Sequence, residues 1–147
     1  MFLTLSMSIS SYSQEKQTKQ YEVKVITSVE SIIPSGMGRS RLISASEARD
    51  YKNFTSKRTE SNGRNKSKRS KIRVKKFEET KLLNFYNIAG IRFQNIAAND
   101  AIISSKLTDM ISKGWELVFV TSAVESDAGE EDGNGIFITR YIFKRKL

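Results

Sequence analysis

The chain has 147 residues, enough for one domain with a modest core, and its 25 basic against 16 acidic side chains give a net charge of +9. It contains neither cysteine nor histidine, which excludes disulfides, thiolate nucleophiles, the usual transition-metal centres and the commonest acid/base group at neutral pH. Apolar residues make up only 38%, so part of the chain is expected to lie outside the core.

Residues 1–13 run from apolar to small side chains and read as the end of a secretory signal peptide. Ser11 and Ser13 satisfy the small-x-small rule for cleavage before Gln14, although the basic start of such a peptide is missing, as though Met1 were not the true start. The segment is too short for a membrane span, and no other stretch approaches the ~20 apolar residues that one needs. Residues 14–20 form a polar spacer. The expected location is therefore the periplasm or the exterior, with the cytoplasm as the alternative.

Tyr21, Val23 and Val25 alternate with Glu22 and Lys24, the period-two pattern of a half-buried strand, which continues through Ile26 and Val29. Pro34, Gly36 and Gly38 end it, and the stretch around Leu42 and Ile43 begins a second strand. Ser35, Gly36, Met37, Gly38, Arg39 and Ser40 have the composition of a phosphate-cradling loop. They lack the third glycine of GxGxxG and the GK[ST] ending of a Walker loop, and a flexible turn is the expectation.

A basic, flexible insertion is expected over residues 45–70. Between Tyr51 and Phe77, the residues Lys52, Lys57, Arg58, Arg64, Lys66, Lys68, Arg69, Lys71, Arg73, Lys75 and Lys76 face one acid, Glu60. The rest of the chain carries 14 basic and 15 acidic residues, so the positive charge belongs to this insertion and not to the domain. Its middle, residues 56–70, is nearly free of apolar side chains. Ile72 and Val74 alternate with lysines and arginine as an edge strand would, giving a long hairpin from Leu42 and Ile43 to Ile72 and Val74.

The apolar tract from Leu82 to Phe93 fits a short helix or a strand equally well. Next, Asn99 or Asp100 caps a helix with Ile103, Leu107, Met110 and Ile111 on one stripe. Lys113 suits its last turn and Gly114 the left-handed position beyond. The following strand places Trp115, Leu117 and Phe119 on one side and Val118 and Val120 on the other, a two-faced pattern that belongs in a sheet interior. An acidic connection, Glu125, Asp127, Glu130, Glu131 and Asp132 among glycines, fails the EF-hand spacing and reads as a solvated loop. Ile136 through Phe143 makes the last strand, paired with its predecessor.

Three pieces of the chain, Tyr21 to Ile26, the Lys113-Gly114-Trp115-Glu116-Leu117 junction with its strand, and Tyr141 to Arg145, resemble the short bacterial proteins grouped as domain-of-unknown-function family 4177. Members of that family open on a YEYKVV-like strand and close on GWELV and IFKR. From Tyr21 onward the chain also resembles longer uncharacterised secreted proteins of Gram-negative bacteria, through VESIIPSGMGRSR-like and FQNIAAND-like segments. Neither resemblance implies a substrate, cofactor or catalytic residue.

The predicted fold is α+β: a single domain over residues 21–147 with a small antiparallel sheet, one main helix packed on one face, and the basic insertion after the first strand. No cofactor, metal or catalytic residue is expected, because Asp100, Asp109, Glu116 and Tyr141 show no spacing that makes them converge. Trp115 and Gly114 are expected to be structural anchors. Lys66, Lys68, Arg69 and Lys71 form the candidate polyanion site, facing an anionic envelope polymer. The functional expectation is a secreted or periplasmic, non-enzymatic interaction module that meets a second copy or another protein through the second face of its sheet. The alternative is a nucleic-acid-binding protein using residues 52–76, with charge to release counterions and Tyr51, Phe54 and Phe77 to stack on bases.

Overall fold

A computed structural model describes residues 20–58, 63–125 and 135–147. The signal-peptide reading of residues 1–13, the spacer up to residue 19 and most of the acidic connection lie outside the described residues.

The alternating N-terminal segment forms β1 (Tyr21–Ser31), followed by β2 (Arg41–Ala45), a 3₁₀ turn (Tyr51–Phe54), one helical turn α1 (Arg69–Ile72), β3 (Phe77–Lys81), the short β4 (Tyr86–Asn87) and β5 (Gly90–Ile91), the long helix α2 (Phe93–Ser112), β6 (Glu116–Glu125) and β7 (Ile136–Lys146). The main sheet is antiparallel and five-stranded, in the order β3-β2-β1-β7-β6, and β4 with β5 forms a separate small hairpin. This is an α+β fold with one main helix.

The two longest strands, β1 and β7, pair along their whole length and take the centre. Along β1 the buried residues are Ile26, Ser28, Glu30 and, at its end, Ser31, and period two places Val23, Val25, Thr27 and Val29 on the face opposite Ile26, Ser28 and Glu30. The core joins Ile26, Leu42 and Phe143 of the sheet to Leu82, to Ile103 and Met110 of α2, and to Trp115, with Ile102, Leu107 and Tyr141 packed against it. Complete burial of such a Leu or Phe stabilises by about 1.5–3 kcal/mol, so this cluster fixes the helix to one face.

Four expectations are corrected. The hairpin out of β2 closes on Phe77–Lys81, with Ala45 opposite Phe77 and Arg41 opposite Lys81, whereas Ile72 ends a helical turn and Val74 is outside any strand. The Arg41–Glu79 ion pair joins the two strands. The main helix begins at Phe93, and Asn99 sits within it, fully buried, instead of capping it. Its stripe excludes Ile111, which is exposed. Finally, β6 lies at the sheet edge rather than inside it.

A break in the register between Leu117 and Phe119 explains the faces of β6. Leu117 lies opposite Phe143 and Val120 opposite Tyr141, both on the helix side, whereas Phe119 lies opposite Ile142 on the far side. The extra residue, Val118, interrupts the alternation as a β-bulge does, so the second face carries Phe119, and Val120 joins Leu117.

Candidate interaction surface

The helix-to-strand junction positions the expected anchors. Gly114 has φ 81°, the left-handed conformation that glycine adopts without steric cost. Its N–H donates to the Ile111 carbonyl at 2.9 Å and that of Trp115 to the Met110 carbonyl at 3.1 Å, the two bonds of a Schellman end. Trp115 is 7% exposed within the core. The Arg145 guanidinium lies 4.5 Å from the centroid of its ring and donates to Glu22 at 2.8 Å, which caps the open end of the core with a cation held in place by a carboxylate. Trp115 is thus occupied on both sides.

A buried polar network was not foreseen from the sequence. Asn99 accepts from the Leu83 N–H and donates to the Leu83 carbonyl and to Glu30 Oε1, each at 2.8 Å. Ser40 Oγ accepts from the Ser31 N–H at 2.8 Å and donates to Asn84 Oδ1 at 2.7 Å. The Asn84 amide in turn donates to the Gly36 carbonyl at 2.7 Å, and Asn95 donates to the Asn84 carbonyl at 2.9 Å. The loop that suggested an anion cradle is therefore a clamp. Its carbonyls face an amide donor, and a Cβ at Gly36 would stand 2.7 Å from the Tyr86 carbonyl oxygen, one at Gly38 2.6 Å from Ser31 Oγ.

Glu30 is 6% exposed. Burial raises its carboxyl above the ordinary range, opposed by the Asn99 hydrogen bond and assisted by the nearby Asp100. Burial likewise raises the Tyr141 phenol, with Glu30 and Asp100 adding to it. The fold thus brings Asp100 and Tyr141 towards Glu30, a residue that sequence spacing did not single out. Asp109 and Glu116 are elsewhere, ion-paired with Lys113 at 2.8 Å and Lys144 at 3.3 Å, and the hydrogen bond from Lys113 lowers the Asp109 pKa. Among the described residues no three acidic groups are arranged to hold a metal ion, and no helix is long and apolar enough to cross a membrane.

The described parts of the basic segment form short pieces held by their own polar side chains. Asp50 accepts from the Lys52 N–H at 3.0 Å to start the 3₁₀ turn, and Asn65 and Ser67 donate to the Asn53 carbonyl at 2.8 and 2.9 Å. Lys66, Lys68, Arg69 and Lys71 are all exposed and make no ion pair with another described residue. Arg58 and Arg64, with Ser56 and Gly63, line a hollow of about 430 Å³. These cations stand close in sequence, Arg69 and Lys71 on the single turn of α1 and the others outside regular structure, without a regular stripe.

The sheet face opposite α2 carries an apolar surface. Register places Val25, Ile142 and Phe119 in one row across β1, β7 and β6, and Val29, Ile138 and Ala123 in another, with Thr27, Arg140 and Thr121 between them. Val23 is 63% exposed, Val25 42% and Phe119 60%. A groove of about 510 Å³ runs beside Val23 and Val25 against the segment from Ala45 to Ala48. At the β3 end, Val74 comes to Ile43 and Phe77, whereas the β1-β7-β6 side stays open among the described residues.

Comparison of the chain with protein-family models, with curated proteins and with solved structures found no match in any of the three. The functional reading therefore rests on geometry.

Proposed function

We propose that the protein is a non-enzymatic interaction module that docks a protein surface against the β1-β7-β6 side of its sheet. The observation that carries this reading is the apolar row of exposed Val25, half-buried Ile142 and exposed Phe119, continued by exposed Val23 and the adjoining groove. Contiguous apolar patches bordered by charge mark interaction sites in soluble proteins; here Lys144, opposite Val23, borders the patch, and Arg140 stands between its two rows. The absence of histidine and cysteine from the whole chain supports a binding role over a catalytic one.

The signal-like pattern of residues 1–13 supports a periplasmic or secreted location, as does the resemblance to secreted proteins of Gram-negative bacteria. The resemblance to family 4177 is consistent with the same small sheet. A second reading is favoured by one feature alone: Lys66, Lys68, Arg69 and Lys71 stand exposed and unpaired among the described residues. They suit an anionic envelope polymer or, for a cytoplasmic protein, a nucleic acid. Photo-crosslinking from Phe119 in the cells that produce the protein tests the principal reading. A protein adduct is expected, and labelling no greater than from a site remote from the sheet contradicts it.

A further inference from the structure

We infer that a second copy of this chain docks at the outer edge of this side, joined through β6 into one continuous antiparallel sheet. The inference rests on the reading of the β1-β7-β6 side as the docking side and names the occupant of its edge.

Among the described residues only β7 pairs with β6, so alternate N–H and C=O groups along its ten residues face outward without a strand partner among them. Protected edges in soluble proteins are short, charged, interrupted by proline or covered. From Leu117 to Val124 this edge has no charge and no proline. Its side chains are exposed on both faces, with Phe119 and Val124, at 60% and 61%, the most open of its large hydrophobics. The other edge is different. β3 has five residues and carries Glu78, Glu79 and Lys81, with Glu78 held by Lys106 and Glu79 by Arg41.

Charge placement selects a second copy and this edge together. The segment from Tyr51 to Phe77, with eleven basic residues against one acid, joins β2 to β3 at the far side of the sheet. That edge is four strand spacings, roughly 19 Å, from β6. Two copies meeting through β6 keep these segments at opposite ends, while the remainder of each chain, 14 basic and 15 acidic residues, is nearly neutral. Pairing through β3 would bring the two basic segments together. A head-to-tail β6-to-β3 contact would set an apolar edge against a charged one and would not close.

The register follows from the faces. A two-fold axis through Ser122 puts Val120 opposite Val124 of the second copy, Thr121 opposite Ala123 and Phe119 opposite Glu125. Every pair then shares a face, no like charges meet, and the irregularity at Val118 lies outside the paired stretch.

Sedimentation and light scattering of the purified full chain over a concentration series test this. The expected mass rises to twice 16.7 kDa, and Phe119→Glu, which meets Glu125 of the second copy, or Val124→Lys weakens the dimer and shifts the midpoint at least about tenfold with an unchanged far-ultraviolet circular dichroism spectrum. In the wild type, amides of residues 119–125 should exchange more slowly under dimer conditions than on dilution, a readout that needs no variant. A chain that stays monomeric at every concentration overturns the second copy, yet leaves the docking side open to another protein that crosslinking from Phe119 would show. A dimer insensitive to both substitutions but broken by Val25→Lys overturns the edge pairing and places the contact on the open face.

Discussion

Trp115 and Glu30 show how differently single residues declare themselves. Trp115 was legible because a large aromatic between a helix-ending glycine and an apolar strand has few places to go except the core. Its substitution by alanine is expected to cost roughly 3–5 kcal/mol, as for other buried large aromatics; urea melts showing less than about 1 kcal/mol, the range of surface changes, would mean that the ring is dispensable to the core. Glu30 was not legible. A glutamate at the end of an alternating strand reads as solvent-facing until the register places it beneath Asn99, 69 residues away. Burial raises its pKa, so the neutral carboxyl is the form the fold favours. The stability it contributes is complete below the unfolded-state pKa, near ~4.3, and is lost as pH rises through the higher folded value. Glu30→Gln keeps an acceptor for Asn99 without the titrating proton. The variant should match wild type near pH 4 and become the more heat-stable of the two by pH 7; a melting difference that ignores pH would contradict the buried acid.

At the scale of elements, the strands with strict alternation were readable, and so were the end of α2 and the hairpin partnership of β6 with β7. What failed was everything decided by distant contacts. Asn99 resembles a cap because asparagine commonly is one, but its side chain is recruited by the Leu83 backbone and Glu30, and α2 extends back to Phe93. Ile72 and Val74 alternate like a strand, yet Phe77–Lys81 supplies the matching register for β2 and the pair Arg41–Glu79. β6 looked interior because it is apolar on both faces, and the bulge at Val118 that reassigns those faces leaves no mark in composition. The basic segment was legible as charge but not as shape. Replacing Lys66, Lys68, Arg69 and Lys71 together by serine touches no buried residue, so stability should change by less than about 0.5 kcal/mol. Elution from heparin should move to clearly lower salt. Binding of the wild type to duplex DNA, single-stranded RNA and lipopolysaccharide should be similar in kind and fall by orders of magnitude between low and physiological salt; salt-resistant binding to one DNA sequence would overturn that view and favour a nucleic-acid role.

For the whole molecule, the α+β class followed from element order, while the location of the open surface did not, because it depends on which side a single helix covers. α2 reaches β3 through Lys106 and Glu78 and β1 through Asn99 and Glu30, leaving the opposite face and the β6 edge exposed. The molecule is thereby polarised: apolar and nearly neutral at one edge, strongly basic at the other. The central claim is that the apolar edge and face are the working surface. A photoreactive amino acid placed in turn at Val25, Phe119 and, as a control outside the main sheet, Ile88, which is 97% exposed in the small hairpin, tests it most directly in the producing cells. The account predicts discrete protein adducts from positions 25 and 119 and little from 88. Equal labelling from all three, or adducts from 88 alone, would contradict it.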